Sequence, residues 1–337
     1  MSDYNSIVFV EGIEHKRFIV SYLEILENIG DPYLVISFED IKIDRKKFSK
    51  SSFKIIPKKD LINFCLNVEA KVFITTTPGI GNVYFPSSKV PLVKNRPKYI
   101  YVFHSLVSPN SVYSKNSFKN FDYIFSPNII ISNQLKFLTK KSNIFTTGYS
   151  LFDNSKLEVK KNTGTILIAP SWSKNGLFSD IKLLEKYIEY FITNKLNIVL
   201  RPHPMELDNL NNFSDFKDKK ISIDTNKDLS NLHSYEYLMT DWSGISLEFF
   251  YYTMKPVIFA DTPKKIRRKL TNKEKSVLLI EDIVREKFGF ILNIEKNNLS
   301  YEINKFNLDN SGKRFYDDLY KPIFNKNNVQ KIIERLL

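Results

Sequence analysis

Met239-Thr-Asp-Trp-Ser-Gly-Ile-Ser-Leu-Glu-Phe-Phe250 decides how this chain folds. Its apolar start predicts a strand end, Asp-Trp-Ser-Gly a small-residue loop, and Ile245 onward the first turn of a helix. A strand feeding a helix through a short loop is half of a βαβ unit, the building block of parallel sheets. The same geometry aims backbone N–H groups and the positive end of a helix at one spot, which suits a phosphate. Ser243 and Gly244 are the expected cradle, with Ser246 beside them, and a nucleotide-activated donor is the expected ligand.

The pattern repeats on both sides. Upstream, expected strands are Ser6-Ile-Val-Phe-Val10, Tyr33-Leu-Val-Ile-Ser37, Val72 to Thr77, Tyr99 to Phe103, Phe121 to Phe125 and Ile144 to Gly148, with a helix from about His15 to Asn28. Residues 154–163 are polar and charged, as a linker is. The alternation restarts with Thr165-Ile-Leu-Ile-Ala169, a helix near Leu177 to Thr193, and strands at Asn197 to Leu200, Tyr237 to Thr240 and Pro256 to Phe259. Short β-branched runs alternating with amphipathic stretches predict an α/β protein of two doubly wound, Rossmann-like domains facing across a cleft. The expected domains are 1–153, a linker at 154–163, and 164–313. Helices in 314–337 are expected to pack back on the first domain.

With 337 residues, 42% hydrophobic, the chain can bury two cores. No stretch approaches the ~20 apolar residues of a membrane span, and Met1-Ser-Asp-Tyr-Asn5 lacks a signal peptide's basic start. The single Cys65 lies in an apolar run and reads as a core thiol in a reducing compartment. A cytoplasmic location follows as an expectation. The net charge of +13 favours anionic partners. Asp44-Arg-Lys-Lys47, Lys115 to Lys119 and Pro263 to Lys269 either dock an anionic inner-membrane surface or are solvated faces. Nucleic acid is not expected, since no RRM, KH or zinc-knuckle pattern accompanies the charge.

Candidate residues fall where ligands bind in such sheets, beyond the carboxyl ends of strands. His104, Ser171-Trp172, Arg201-Pro-His203 and Asp241-Trp-Ser243 each follow an expected strand. Histidine titrates near neutrality, the range acid–base work needs, so His104 reads as a site residue or as a ring satisfied by backbone. Pro202 and Pro204 restrain the backbone beside His203, which reads as phosphate stabiliser or acid, with Arg201 as charge partner. Asp241 is a helix cap or a site residue, and Glu248 meets a ribose hydroxyl or the helix dipole. Trp172 shields a base or packs. His15 lies in the first helix and reads as a surface residue, or as part of a cleft lined by Gly12-Ile-Glu-His15 after the first strand.

The order of these motifs resembles the CDP-glycerol glycerophosphotransferase family of teichoic acid and capsule polymer synthesis. The resemblance spans about residues 98–337. Its Trp-His-Gly segment is similar to Phe103-His104-Ser105, and its Phe-Asp-Tyr strand to Phe121-Asp-Tyr-Ile-Phe-Ser-Pro127. Its Gly-Tyr-Pro-Arg-Asn-Asp element resembles Gly148-Tyr-Ser-Leu-Phe-Asp153, and Ala-Pro-Thr-Trp resembles Ala169-Pro-Ser-Trp172. Arg201-Pro-His-Pro204 is intact, Thr240-Asp-Trp-Ser-Gly244 with Glu248 and Lys255-Pro256 is similar to the donor loop, and Asn327 to Ile333 to the closing helix. Ser105 replaces a glycine and Gly244 a serine.

The resemblance implies a glycosyltransferase-B-like architecture, a CDP-activated donor, no obligatory cofactor and no metal site. It implies a peripheral enzyme moving glycerol phosphate, or a similar alditol phosphate, to a polysaccharide or lipid-linked acceptor, with His104 as base. A nucleotide-sugar glycosyltransferase would need much the same loop. A non-catalytic assembly factor that binds anionic polymer or membrane is the third possibility.

Overall fold

A computed structural model describes residues 4–79, 96–152, 163–172, 176–203, 221–225, 231–265 and 268–337. It divides into two compact units, each built on its own parallel sheet. Asp153, most of the expected linker, Pro204 and part of the basic run after Pro263 lie outside the described residues.

Unit 1 takes residues 1–105, 112–154 and 317–337. Its strands are β1 (Ser6–Val10), β2 (Tyr33–Ser37), β3 (Ser51–Ile55), β4 (Val72–Thr75), β5 (Lys98–Val102), β6 (Tyr123–Ser126) and β7 (Ile144–Thr146), in the order β3-β2-β1-β4-β5-β6-β7. β1 is buried along its whole length, because helices cover both faces of such a sheet and leave no polar side. The helix Ile13–Ile29 buries Phe18, Ile19, Tyr22, Leu23, Ile25 and Leu26, one stripe at helical spacing. It ends where Gly30 takes the left-handed conformation (φ 89°) and its N–H reaches the Leu26 carbonyl. The helix Lys326–Glu334 adds Val329 and Ile333, both fully buried, to the same core.

Unit 2 takes residues 106–111 and 155–316. Its strands β8 (Thr165–Ile168), β9 (Asn197–Leu200), β10 (Ile221–Ile223), β11 (Tyr237–Thr240), β12 (Val257–Phe259) and β13 (Gly289–Ile291) order as β10-β9-β8-β11-β12-β13. Asp180 caps the helix Ile181–Thr193 by accepting from the Leu183 N–H at 3.0 Å. Leu184, Tyr187, Ile188 and Phe191 of that helix enter the core. The helix Ile245–Thr253 is buried from Ile245 to Phe250, and Phe250 stacks on Phe288 at 4.1 Å.

In both sheets the strand order reverses at one point, between β1 and β4 and between β8 and β11. Loops diverge there and open a crevice beyond the strand ends, so each unit has one place designed by its topology for a ligand. Among the described residues no helix is long and apolar enough to cross a membrane.

Candidate active site

In unit 1, Glu11 follows β1, Thr76 and Thr77 follow β4, and His104 lies just past β5. The Thr77 hydroxyl donates to a Glu11 carboxylate oxygen at 3.0 Å, and His15 Nδ1 lies 2.8 Å from Thr76 Oγ1. The His15 and His104 rings are 5.0 Å apart, and Phe18 packs on His104 at 5.6 Å. His15 is therefore no surface residue: burial drives its pKa below the ordinary 6.5, against the pull of Glu11 and Glu14. Its neighbours in sequence hid this, since His15 enters the crevice only because the chain folds Ile13–Ile29 back over β1 and β4.

His104 Nδ1 lies 3.2 Å from the Tyr101 hydroxyl, which also hydrogen-bonds Tyr113. When the Tyr101 O–H donates its hydrogen bond to Tyr113, the Tyr101 oxygen accepts from Nδ1–H of His104. That tautomer leaves Nε2 with a lone pair, the form a base needs. Tyr101 stays protonated, because burial raises its pKa well above 10.

In unit 2, Asp241 is fully buried at the reversal point. One carboxylate oxygen accepts from the N–H of Ser171 at 2.7 Å and of Trp242 at 2.6 Å, and the other from Leu177 at 3.3 Å. The expected cap is thus corrected: Gly244 occupies the N-cap of Ile245–Thr253, and Asp241 ties the loops after β8 and β11 together. Ser246 is also spent, its hydroxyl donating to the Ser243 carbonyl at 2.8 Å. Ser243 and Gly244 remain, and no described group accepts from their N–H groups.

Two residues that sequence reasoning missed brace this loop. Arg285 donates to the carbonyls of Asp241 (2.8 Å) and Ala260 (2.9 Å) and lies 4.3 Å over the Trp242 ring. Burial lowers its pKa, but a guanidinium starts so high that it stays charged and puts a cation beneath the loop. Glu281 accepts from the Ser108 N–H at 3.2 Å and the Ser111 hydroxyl at 3.1 Å, while Ser108 Oγ accepts from the Ile280 N–H. In sequence neither stands out, because Ile280–Lys287 is rich in charge throughout. Val107, Ser243, Glu281 and Arg285 share a cavity of about 10 Å³, the space of a single water. A phosphate can reach Ser243 and Gly244 only from their solvent side.

Other expected site residues are placed differently. Arg201 is buried, and its guanidinium donates to Asp224 at 3.1 and 2.5 Å and to Asn231 at 2.8 Å. It closes the ends of β9 and β10 through Nε and Nη2, Nη1 has no partner among the described residues, and His203 is half-buried. Trp172 neither packs nor hides, being 44% exposed. Glu248 is buried in the first turn of its helix. Ser171 gives its N–H to Asp241, and its buried hydroxyl has no partner among the described residues. Among those residues no cluster of His, Cys, Asp or Glu is set to hold a metal ion.

The fold is similar to that of the wall teichoic acid polymerase TagF, with a TM-score of 0.61 at 15% identity over 98% of this chain and 88% of that one. It is also similar to Methanocaldococcus jannaschii UDP-GlcNAc 2-epimerase, solved with UDP-GlcNAc and UDP (0.61, 16%, 98% of each chain). A glycosyltransferase from Rickettsia africae ESF-5 matches at 0.55 and 13%, over 100% of this chain and 98% of that one. No curated protein matches the sequence. These likenesses show two parallel-sheet α/β domains of glycosyltransferase-B type. Residues 108–269, which hold the Asp241–Gly244 loop, match the model of the CDP-glycerol:poly(glycerophosphate) glycerophosphotransferase family, and the chain carries that family's pattern there.

Proposed function

We propose that this chain transfers an alditol phosphate, glycerol phosphate or a close relative, from a CDP-activated donor to a hydroxyl of a cell-envelope polysaccharide or lipid-linked acceptor. The observation that carries the reading is the pair of N–H groups at Ser243 and Gly244 that no described group accepts from, within the family match and beside the buried Arg285. Such a pair at a helix start meets phosphate oxygens, and the cation beneath offsets the charge that develops as the nucleotide leaves. In the reaction the acceptor O–H gives its proton to a base and its oxygen bonds to the phosphorus of the alditol phosphate. The bond from that phosphorus to the CMP oxygen then breaks, releasing CMP.

His104 is the base, with Nε2 as the accepting atom, a role that contributes typically ~10²–10⁴-fold. His203 stabilises the phosphate or returns a proton, and Trp172 offers an exposed ring to the cytosine. A TagF crystal was soaked with CDPG, which suits the same donor class here. The enzyme works at the cytoplasmic face of the membrane as a peripheral protein.

The test is thermal stability with CDP, CMP, UDP, GDP and ADP, since a ligand at 100 times its Kd stabilises the folded state by about 2.7 kcal/mol. CDP or CMP is expected to raise the melting temperature. Gly244→Pro, which removes one N–H at a φ of −64° that proline accepts, is expected to abolish the shift. His104→Ala is expected to keep the shift and lose at least 100-fold in CMP release. A shift with UDP alone would replace this reading with a sugar transferase, the alternative that the epimerase-like fold favours.

A further inference from the structure

A groove of about 520 Å³ lies in unit 1 at the start of strands β5, β6 and β7, the end of the sheet away from His104. Arg96, Lys119, Lys140 and Lys141 line it, and Asp122 is the one carboxylate among the lining residues. Asp122 is already engaged, accepting from Arg96 at 2.7 Å through one oxygen and from the Tyr99 N–H at 2.8 Å through the other. Among the described residues the Lys141 ammonium donates to neutral acceptors, the carbonyls of Lys119 (3.1 Å) and Phe121 (2.8 Å). Burial and the neighbouring Arg96 lower its pKa, while Asp122 raises it. A partly desolvated ammonium held by carbonyls, beside a carboxylate already paired elsewhere, gains a counter-charge when an anion enters.

We propose that this groove binds the phosphodiester groups of an anionic polymer, as a holding site separate from the reaction centre. Its concavity favours a flexible chain that threads phosphates between the 119–121 and 140–143 loops over a flat lipid surface, which cannot follow it. The polymer's identity as a poly(alditol phosphate) rests on the transferase reading above; the groove itself does not.

The experiment is calorimetric titration of the full chain with synthetic tri(glycerol phosphate) at several salt concentrations, beside vesicles of phosphatidylglycerol. A variant carrying Lys119→Glu and Lys140→Asn changes two exposed side chains, and asparagine tolerates the left-handed backbone of Lys140 (φ 61°). The expected result is oligomer binding weakened at least 10-fold in the variant, with a shallower salt dependence and an unchanged melting temperature. Equal affinity in both proteins, binding of vesicles without oligomer, or no binding of either would overturn the proposal. The CDP-induced shift is read separately on the same proteins. Its loss with oligomer binding intact would sink the transferase reading alone.

Discussion

Arg201 shows how a motif residue changes meaning once its neighbours are known. In sequence it adjoins His203 and reads as catalytic, yet its guanidinium is committed to Asp224 and Asn231. Removing one member of a buried pair leaves the other uncompensated, so Arg201→Ala is expected to cost about 3 kcal/mol of stability. Urea unfolding checks the cost. Unchanged stability with lost turnover would return Arg201 to a catalytic role. At His15 the reverse holds: of its two readings, surface residue or cleft lining, the second fits, since Thr76 and His104 lie beside it. Side-chain type was legible at both positions; the partners come from β4, β5 and β10, which no local pattern names.

At the level of elements, the interior strands β1, β2, β4, β5, β6, β8, β9, β11 and β12 were legible because covered faces make their runs largely apolar. β3, β10 and β13 were not expected, and each is a sheet edge with a single ladder partner. An edge strand need not be apolar throughout, and Ser51-Ser-Phe-Lys-Ile55 is half-buried or exposed along its length. The helix Ile280–Lys287 likewise hid Glu281, whose carboxyl holds Ser108 and Ser111. Glu281→Ala leaves the Ser108 N–H without an acceptor, while the Ser111 hydroxyl keeps the Ser108 carbonyl, and is expected to cost about 1–3 kcal/mol. Burial pushes the Glu281 pKa above its ordinary 4.5. The native state then holds a proton that the unfolded chain releases, so this residue's contribution is full below pH 4.5 and is lost as pH rises through the native pKa. Glu281→Gln keeps one acceptor oxygen and removes the titration, so its stability relative to the parent is expected to improve from pH 4.5 to 7.5. Parallel stability profiles would contradict this assignment.

Across the whole molecule, the last twenty-one residues join unit 1 although unit 2 precedes them in the chain. Phe324 packs on Tyr22 at 5.5 Å, and Val329 and Ile333 complete the unit 1 core. Gly148 makes this return possible. Its φ is 88°, and a Cβ there would meet the Phe324 backbone at 2.4 Å. Gly148→Ala combines left-handed strain with overpacking and is expected to cost about 2–4 kcal/mol. Thermal unfolding monitored in unit 1 measures it, and a loss under about 0.5 kcal/mol, the range of ordinary surface changes, would show that the return segment is dispensable.

By itself the sequence determined the α/β class, the two sheets and the strand-end positions of the candidate residues, because periodicity and punctuation by glycine and proline are local properties. It also carried the donor loop, whose strand, turn and helix start are contiguous from Met239 to Phe250. Only the tertiary structure decided which polar groups are spent and which remain for a ligand. Asp241 and Arg201 satisfy buried donors and acceptors contributed by other segments. Ser243 and Gly244 keep their N–H groups because no described segment claims them. Hydrogen-bond satisfaction is settled between residues far apart in the chain, so no reading of neighbours along it could have assigned those roles.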